Sequence, residues 1–243
     1  MKRLGGMVLR LLCLFLYTSW SSATLQEEVD SCPALPNWQD HFPWLPDLGR
    51  RVNVACPCMG IDGCGHALQA MSVPSSMLNC YDLEVSYRSA LTQHLMDMGM
   101  NVIELNLGKK AGDLLEVPLQ SLAPVDLLIA GPPCPPWAGQ GKRKGCKDPK
   151  AQVFMRVVQW LVYFISSCGL VACILEHVTG ILNATEDGRQ SVATKFLAIL
   201  DKFCPEFHWS LDQQCVIDYL CPQTRWIIQM HMCKVLWAQH HRC

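Results

Sequence analysis

Charge is scarce in this chain and almost balanced: Lys, Arg, Asp and Glu make up 17 % of 243 residues, and the formal net charge is -1. A sequence with so little charge and half its residues apolar can bury enough surface to fold, and its length suits one domain with a full core. Near neutrality removes any global field that would draw a polyanion, so contact with a nucleic acid must rest on a local basic patch. The chain also lacks a C-x-x-C knuckle, a G-x-G-x-x-G turn and any internal repeat. These absences give no support to a zinc ribbon, an ordinary dinucleotide-binding turn or a solenoid.

Cysteine, by contrast, is abundant at 15. Lys2 and Arg3 precede the apolar stretch Met7 to Tyr17 and the small residues Ser21-Ser22-Ala23, although Arg10 interrupts it, so residues 1–24 read as a signal or targeting segment. Its removal after Ala23 would take Cys13 and leave an even count, which suits disulfides. Most of the others, such as Cys80, Cys168, Cys173 and Cys215, lie singly in strand- or helix-like stretches, where a reduced thiol acts as a small apolar residue. The groups Cys56-x-Cys58 with Cys64, and His231-x-Cys233 with His240, His241 and Cys243, do not repeat a metal-ligand spacing, and no metal is expected. A secreted or membrane-associated cysteine-rich protein is a rival reading; the sequon Asn183-Ala184-Thr185 fits it. The apolar segment Val157 to Leu175 is long enough to raise a membrane span, but Ser166-Ser167-Cys168-Gly169 breaks it into a helical half and a short strand-like half.

Residues 25–50, with Pro33, Pro36, Pro43 and Pro46, read as an irregular leader, and residues 51–243 as the folded domain. Strands are expected at Val52 to Ala55, Met77 to Tyr81, Val102 to Leu105, Val125 to Ala130 and Leu170 to Leu175, with strand-like runs at His208 to Val216 and Arg225 to Cys233. Helices are expected at Ala67 to Met71 and about Glu84 to Met96, Ala151 to Ile165 and Gly188 to Phe203. Strands alternating with helices imply an α/β fold, a mostly parallel sheet covered on both faces.

In such sheets ligands sit beyond the carboxyl ends of the strands, and four loops there are informative. Cys58-Met59-Gly60-Ile61-Asp62-Gly63 is a glycine-bearing turn after the first strand, and Asp82 ends the second, where a carboxylate can accept from ribose hydroxyls. The third loop is Gly131-Pro132-Pro133-Cys134-Pro135-Pro136-Trp137-Ala138-Gly139-Gln140-Gly141-Lys142-Arg143-Lys144-Gly145. Prolines on both sides fix the backbone around one thiol. The cations Lys142, Arg143, Lys144, Lys147 and Lys150 follow; they are suited to lowering a thiol pKa and to holding a phosphate backbone, and equally form a solvated basic loop. The fourth is Glu176-His177-Val178, an acid at the end of an apolar strand; a carboxylate there needs a partner or a function.

Together these segments resemble the DNA cytosine-5 methyltransferases, from about Arg51 to Cys233. The family's Pro-Cys, Glu-Asn-Val and Gln-x-Arg-x-Arg motifs are matched by Pro133-Cys134, Glu176-His177-Val178 and Gln223-Thr224-Arg225. The resemblance implies a Rossmann-like S-adenosylmethionine-dependent methyltransferase fold. It also implies methylation at C5 of cytosine in DNA, or in RNA. Cys134 would attack C6 as the nucleophile, Glu176 would hydrogen-bond the flipped base, and Arg225 would support the site. Gly60, Ile61, Gly63, Asp82, Asp113 and Pro133 would hold the cofactor, and Lys142, Arg143, Lys144 and Gln223 the nucleic acid.

Several positions depart from the family pattern. Cys58 stands for an aromatic residue, Asp62 for a glycine, His177 for Asn, Pro135 for Gln and Ile227 for the second Arg. No counterpart of the target-recognition region or of the closing motifs follows Arg225, so the domain reads as truncated after Gln-x-Arg. A separate recognition partner, or a catalytically degenerate methyltransferase-like domain, is the alternative expectation. The chemistry implies a nuclear monomer; the leader points instead to the secretory pathway or an organelle.

Overall fold

The computed structural model describes residues 48–60, 63–70, 73–87, 101–102, 105–108, 110–138, 144–183, 190–205, 207–215 and 232–240. The signal-like segment and nearly all of the proline-bearing leader lie outside them.

The strands are β1 (Val52–Pro57), β2 (Ser75–Asp82), β3 (Asn101–Val102), β4 (Leu105–Leu107), β5 (Leu127–Ala130), β6 (Ala172–Val178), β7 (Phe207–Cys215) and β8 (Met232–His240). They form one sheet in the order β3-β2-β1-β5-β6-β8-β7, with β4 also beside β2. The pairs from β3 and β4 across to β6 are parallel, while β8 runs antiparallel between β6 and β7. This is the mostly parallel α/β sheet expected from the alternating pattern, and the Rossmann-like fold that the resemblance implies.

The central strands β1, β2, β5 and β6 are buried along nearly their whole length rather than on alternate residues, as a sheet covered on both faces requires. Six of the seven residues of β2 from Ser75 to Tyr81 and all four of β5 are less than 8 % exposed, and Leu78 reaches only 8 %. Helix α1 (Gly63–Ala70) follows the turn after β1, α2 (Ala151–Tyr163) precedes β6, and α3 (Val192–Phe203) follows it. Helix α2 turns Ala151, Phe154, Val157, Val158, Trp160 and Leu161 inward. Trp160 packs edge-on against Tyr81 of β2 at 5.2 Å, so the helix is keyed to the sheet by large rings.

A π-helical turn, Phe164–Cys168, ends α2, and Gly169 closes it at φ 70°. That left-handed position favours glycine. The stretch Ala151–Cys168 is long and apolar enough to cross a membrane, yet it feeds directly into a central strand, as the break at Ser166 to Gly169 implies. Helix α3 starts at Val192, later than the expected Gly188, because the Ser191 side chain accepts from Thr194 N–H and caps it there.

Other element boundaries also moved. The expected third strand is two short pieces, β3 and β4. The segment expected to begin a helix at Glu84 opens with a single 3-10 turn, Val85–Tyr87, and Arg88 to Met96 lie outside the described residues. The last described strand is Met232–His240, which takes in the end of the run expected at Arg225 to Cys233, while residues 225–231 lie outside the described residues; its pairing with β6 and β7 is a long-range choice that local composition does not encode.

Candidate functional site

Strand order reverses between β1 and β5, which lie side by side, and their carboxyl ends therefore open onto a crevice suited to a ligand. The glycine turn leaves β1 there, and the cysteine loop leaves β5.

The turn after β1 is built from unusual backbone. Cys58 has φ 58° and Gly60 φ 57°; for cysteine the left-handed region is strained by about 1 kcal/mol or more. Met59 N–H donates to the Tyr81 carbonyl at 3.2 Å. Gly60 N–H donates to Asp82 Oδ2 at 2.9 Å, and Glu84 N–H donates to Asp82 Oδ1 at 2.9 Å. The acid at the end of β2 thus holds the turn of β1. No atom would lie within 4 Å of a Cβ on Gly60, so open space faces the turn. Burial, then the charge of Asp82, pushes the Cys58 thiol far up, so it stays protonated.

Asp113 arrives at the same edge on a different segment. Gly108 N–H donates to the Asp82 carbonyl at 2.9 Å, and a Cβ on Gly112 would stand 2.0 Å from that oxygen, so only glycine permits this approach. The Asp113 side chain accepts from Leu115 N–H at 3.0 Å. Arg156 of α2 donates to the carbonyls of Leu114, at 3.0 Å, and Val117, pinning the segment that carries Asp113. Gly60, Asp82 and Asp113 are therefore brought together, and Gly63 opens α1 beside them. Ile61 and Asp62 lie outside the described residues.

The cysteine loop begins opposite the fourth motif. Ala130, the last residue of β5, pairs with Leu175 of β6, so Glu176 stands beside the start of the loop. Trp137 and Ala138 N–H groups both donate to the Cys134 carbonyl at 2.9 Å, and Gly145 N–H donates to the Pro136 carbonyl at 2.9 Å. Residues 134–138 are thereby a folded turn, tied at Pro136 to Gly145. Burial raises the Cys134 pKa above the usual thiol value, the nearby charge of Glu176 raises it further, and the thiol's own backbone N–H and Lys150 lower it less. Of the cations suited to lowering the thiol pKa, Lys150 does act downward but is outweighed by burial and Glu176, and Lys142 and Arg143 lie outside the described residues. Coulomb attraction through solvent from an exposed lysine is weak beside desolvation, and Lys144, Lys147 and Lys150 are all exposed.

Next to Glu176, His177 turns to the other face of β6, where it is 5 % exposed. Its ring meets Trp137 at 4.9 Å and Phe154 of α2 at 5.6 Å, both edge-on. After β6, Gly180 abuts the loop so closely that a Cβ would sit 2.0 Å from the Trp137 carbonyl oxygen. Composition and periodicity gave no signal for Trp137 or Gly180, since neither a lone tryptophan after prolines nor a glycine past a strand end marks a contact between two loops.

Lys142, Arg143, Gln223 and Arg225 lie outside the described residues; Lys144, an exposed residue, precedes the 3-10 turn Gly145–Lys147. Among the described residues no three His, Cys, Asp or Glu side chains converge to hold a metal ion.

Comparison with known proteins gives three findings. The family model described as C-5 cytosine-specific DNA methylase matches residues 60–211. The Type II methyltransferase M.DsaV of Dactylococcopsis salina is 28 % identical over 123 residues, covering 50 % of this chain and 32 % of that protein. The crystal structure of S. pombe Dnmt2 methyltransferase aligns at a TM-score of 0.52 and 15 % identity, over 80 % of this chain and 51 % of that one, a likeness of fold. The chain thus spans about a third of the length of the first relative and about half of the second.

Proposed function

Since the chain belongs to the C-5 cytosine-specific DNA methylase family, we propose that it transfers a methyl group from S-adenosylmethionine to C5 of cytosine in DNA, through a covalent adduct on Cys134. The observation that carries this reading is the juxtaposition at the switch point: a proline-mounted thiol leaves β5 beside Glu176, within reach of its charge.

The groups at the ends of β1 and β2 suit the cofactor. Open space faces Gly60, and Asp82 is held at the edge of the turn as an acceptor for ribose hydroxyls. Asp113 would face the adenine, with Gly63 and Ile61 completing the turn and Pro133 bordering it from the cysteine loop. Bound there, S-adenosylmethionine supplies an electrophilic methyl group.

C5 of cytosine is a poor nucleophile. The Cys134 thiolate adds to C6 and makes an enamine-like ring whose C5 can take the methyl group; loss of the C5 proton and departure of the thiolate then restore the ring. Glu176 hydrogen-bonds the ring edge, which requires it within about 3 Å of a base rotated out of the stack. A protonated or hydrogen-bonded Glu176 carries less charge toward the sulfur, so engagement of the base also eases thiolate formation. Arg225 supports the ring, and Lys142, Arg143, Lys144 and Gln223 hold the phosphate backbone. A polynucleotide substrate of RNA fits the same chemistry and is distinguished by the same experiment.

The test is trapping with an oligonucleotide carrying 5-fluorocytosine, where fluorine blocks release. Wild type with S-adenosylmethionine forms an adduct stable to denaturing electrophoresis on DNA, and Cys134→Ser forms none. Cofactor binding without any trapped DNA or RNA replaces this reading with a degenerate, non-catalytic domain.

A further inference from the structure

We propose that His177 is a positioning residue of the nucleophile loop: its imidazole, wedged edge-on between Trp137 and Phe154, sets the loop conformation in which Cys134 faces Glu176. The inference rests on the assignment of Cys134 as nucleophile made above.

Adjacent residues of a strand point to opposite faces, so Glu176 and His177 divide the labour of β6. Glu176 stands beside the start of the cysteine loop, near enough for its charge to reach the thiol, whereas His177 turns into the layer where Phe154 of α2 packs on Phe196 of α3 at 5.6 Å. Trp137 reaches down into that same layer, touching His177 at 4.9 Å and Phe154 at 5.6 Å. Its N–H closes a turn on the Cys134 carbonyl, and its carbonyl presses on Gly180. Where the Trp137 ring sits therefore decides where the thiol, three residues earlier, sits.

The choice of histidine is costly. Nδ1 lies 3.5 Å from the Val178 carbonyl, and buried Nε2 makes no hydrogen bond of good geometry among the described residues, the Pro133 carbonyl of the cysteine loop being near enough only to offset part of the burial. Trp137 Nε1 is likewise buried without one. An unsatisfied buried polar atom costs about 1–3 kcal/mol, and a phenylalanine or leucine would fill the same layer without that cost. A site under selection for packing alone has no use for two such groups in contact. Burial holds the imidazole down to about 4, with the Val178 and Pro133 carbonyls offsetting only part of this. It is therefore neutral near pH 7 and acts by its shape and place, not by a charge on the thiolate.

The experiment compares wild type, His177→Phe and Trp137→Phe by three readouts: urea unfolding midpoint, methyl-transfer kcat with the KM for S-adenosylmethionine, and the alkylation rate of Cys134 by iodoacetamide followed by peptide mass spectrometry. The expected signature is opposed. The midpoint of His177→Phe stays level or rises, and KM holds. Meanwhile kcat falls roughly ten- to a hundredfold, as misplacement of a reacting group requires, and Cys134 alkylates about fivefold faster because a loosened loop exposes a thiol that is half-buried in wild type. Trp137→Phe moves both rates the same way. Unchanged alkylation in both folded variants overturns the proposal, as does a fall of kcat that only tracks a lower midpoint. The alkylation arm needs no turnover, so a wild type that methylates nothing sinks the methyltransferase reading while this arm still decides the role of His177.

Discussion

Two neighbouring residues on β6 carry opposite electrostatic demands. Glu176 raises the Cys134 pKa, so Glu176→Gln removes a negative charge from the sulfur and lets the thiolate form at lower pH. The pH profile of Cys134 alkylation should shift to lower pH in that variant while methyl transfer is lost; a shift upward would mean that the carboxylate acts on the thiol by some route other than charge. His177 behaves the other way about. Its folded-state pKa is lowered from 6.5 to about 4, so between those values the unfolded chain binds a proton that the folded chain refuses. The stability that His177 contributes is complete above pH 6.5, declines by roughly 3 kcal/mol as pH falls toward 4, and changes no further below. Urea midpoints at pH 7.5 and 4.5 should differ less in His177→Phe than in wild type; equal differences would assign the acid sensitivity to other groups.

Among the elements, β6 with the turn after it organises the nucleophile loop more than β5, from which that loop springs. Glu176, His177 and Gly180 all come from Ala172–Val178 and the 3-10 turn Thr179–Leu182. Gly180 is the sharpest test, because a Cβ there would stand 2.0 Å from the Trp137 carbonyl oxygen, closer than any real contact. Gly180→Ala must push the loop away. A destabilisation of about 1–3 kcal/mol, read from chemical denaturation, should accompany loss of 5-fluorocytosine trapping. Retained trapping would show that the loop accommodates the shift without moving Cys134. Much of this element was legible beforehand: the acid at a strand end and the proline mount of Cys134 are local features. Trp137 and Gly180 were not, since a contact between two loops has no period and no composition.

At the scale of the whole molecule, the sheet order decides which loops share a crevice. The turn of β1, the acid of β2 and the cysteine of β5 meet only because the order reverses between β1 and β5. A ligand bridging these strands should stabilise the fold as a unit. S-adenosylmethionine at about 100 times its Kd would add about 2.7 kcal/mol, a rise of several degrees in Tm by differential scanning fluorimetry. Asp82→Ala should shrink the rise at the same concentration, because it removes both the ribose acceptor and the anchor of Gly60. A Tm indifferent to the ligand in wild type would count against cofactor binding in this crevice.

The sequence by itself determined the fold class and the chemistry on offer, because apolar strand runs, helical periodicity and the residues flanking Cys134, Glu176 and Asp82 are properties of neighbours along the chain. It did not determine the state of the thiol, for which nearby lysines pointed down and burial with Glu176 pushed up. Nor did it place the insertion of β8 between β6 and β7 or the wedge of His177 against Trp137. Those were decided in the tertiary structure, where desolvation, register and ring packing depend on residues far apart in sequence that meet only once the sheet has formed.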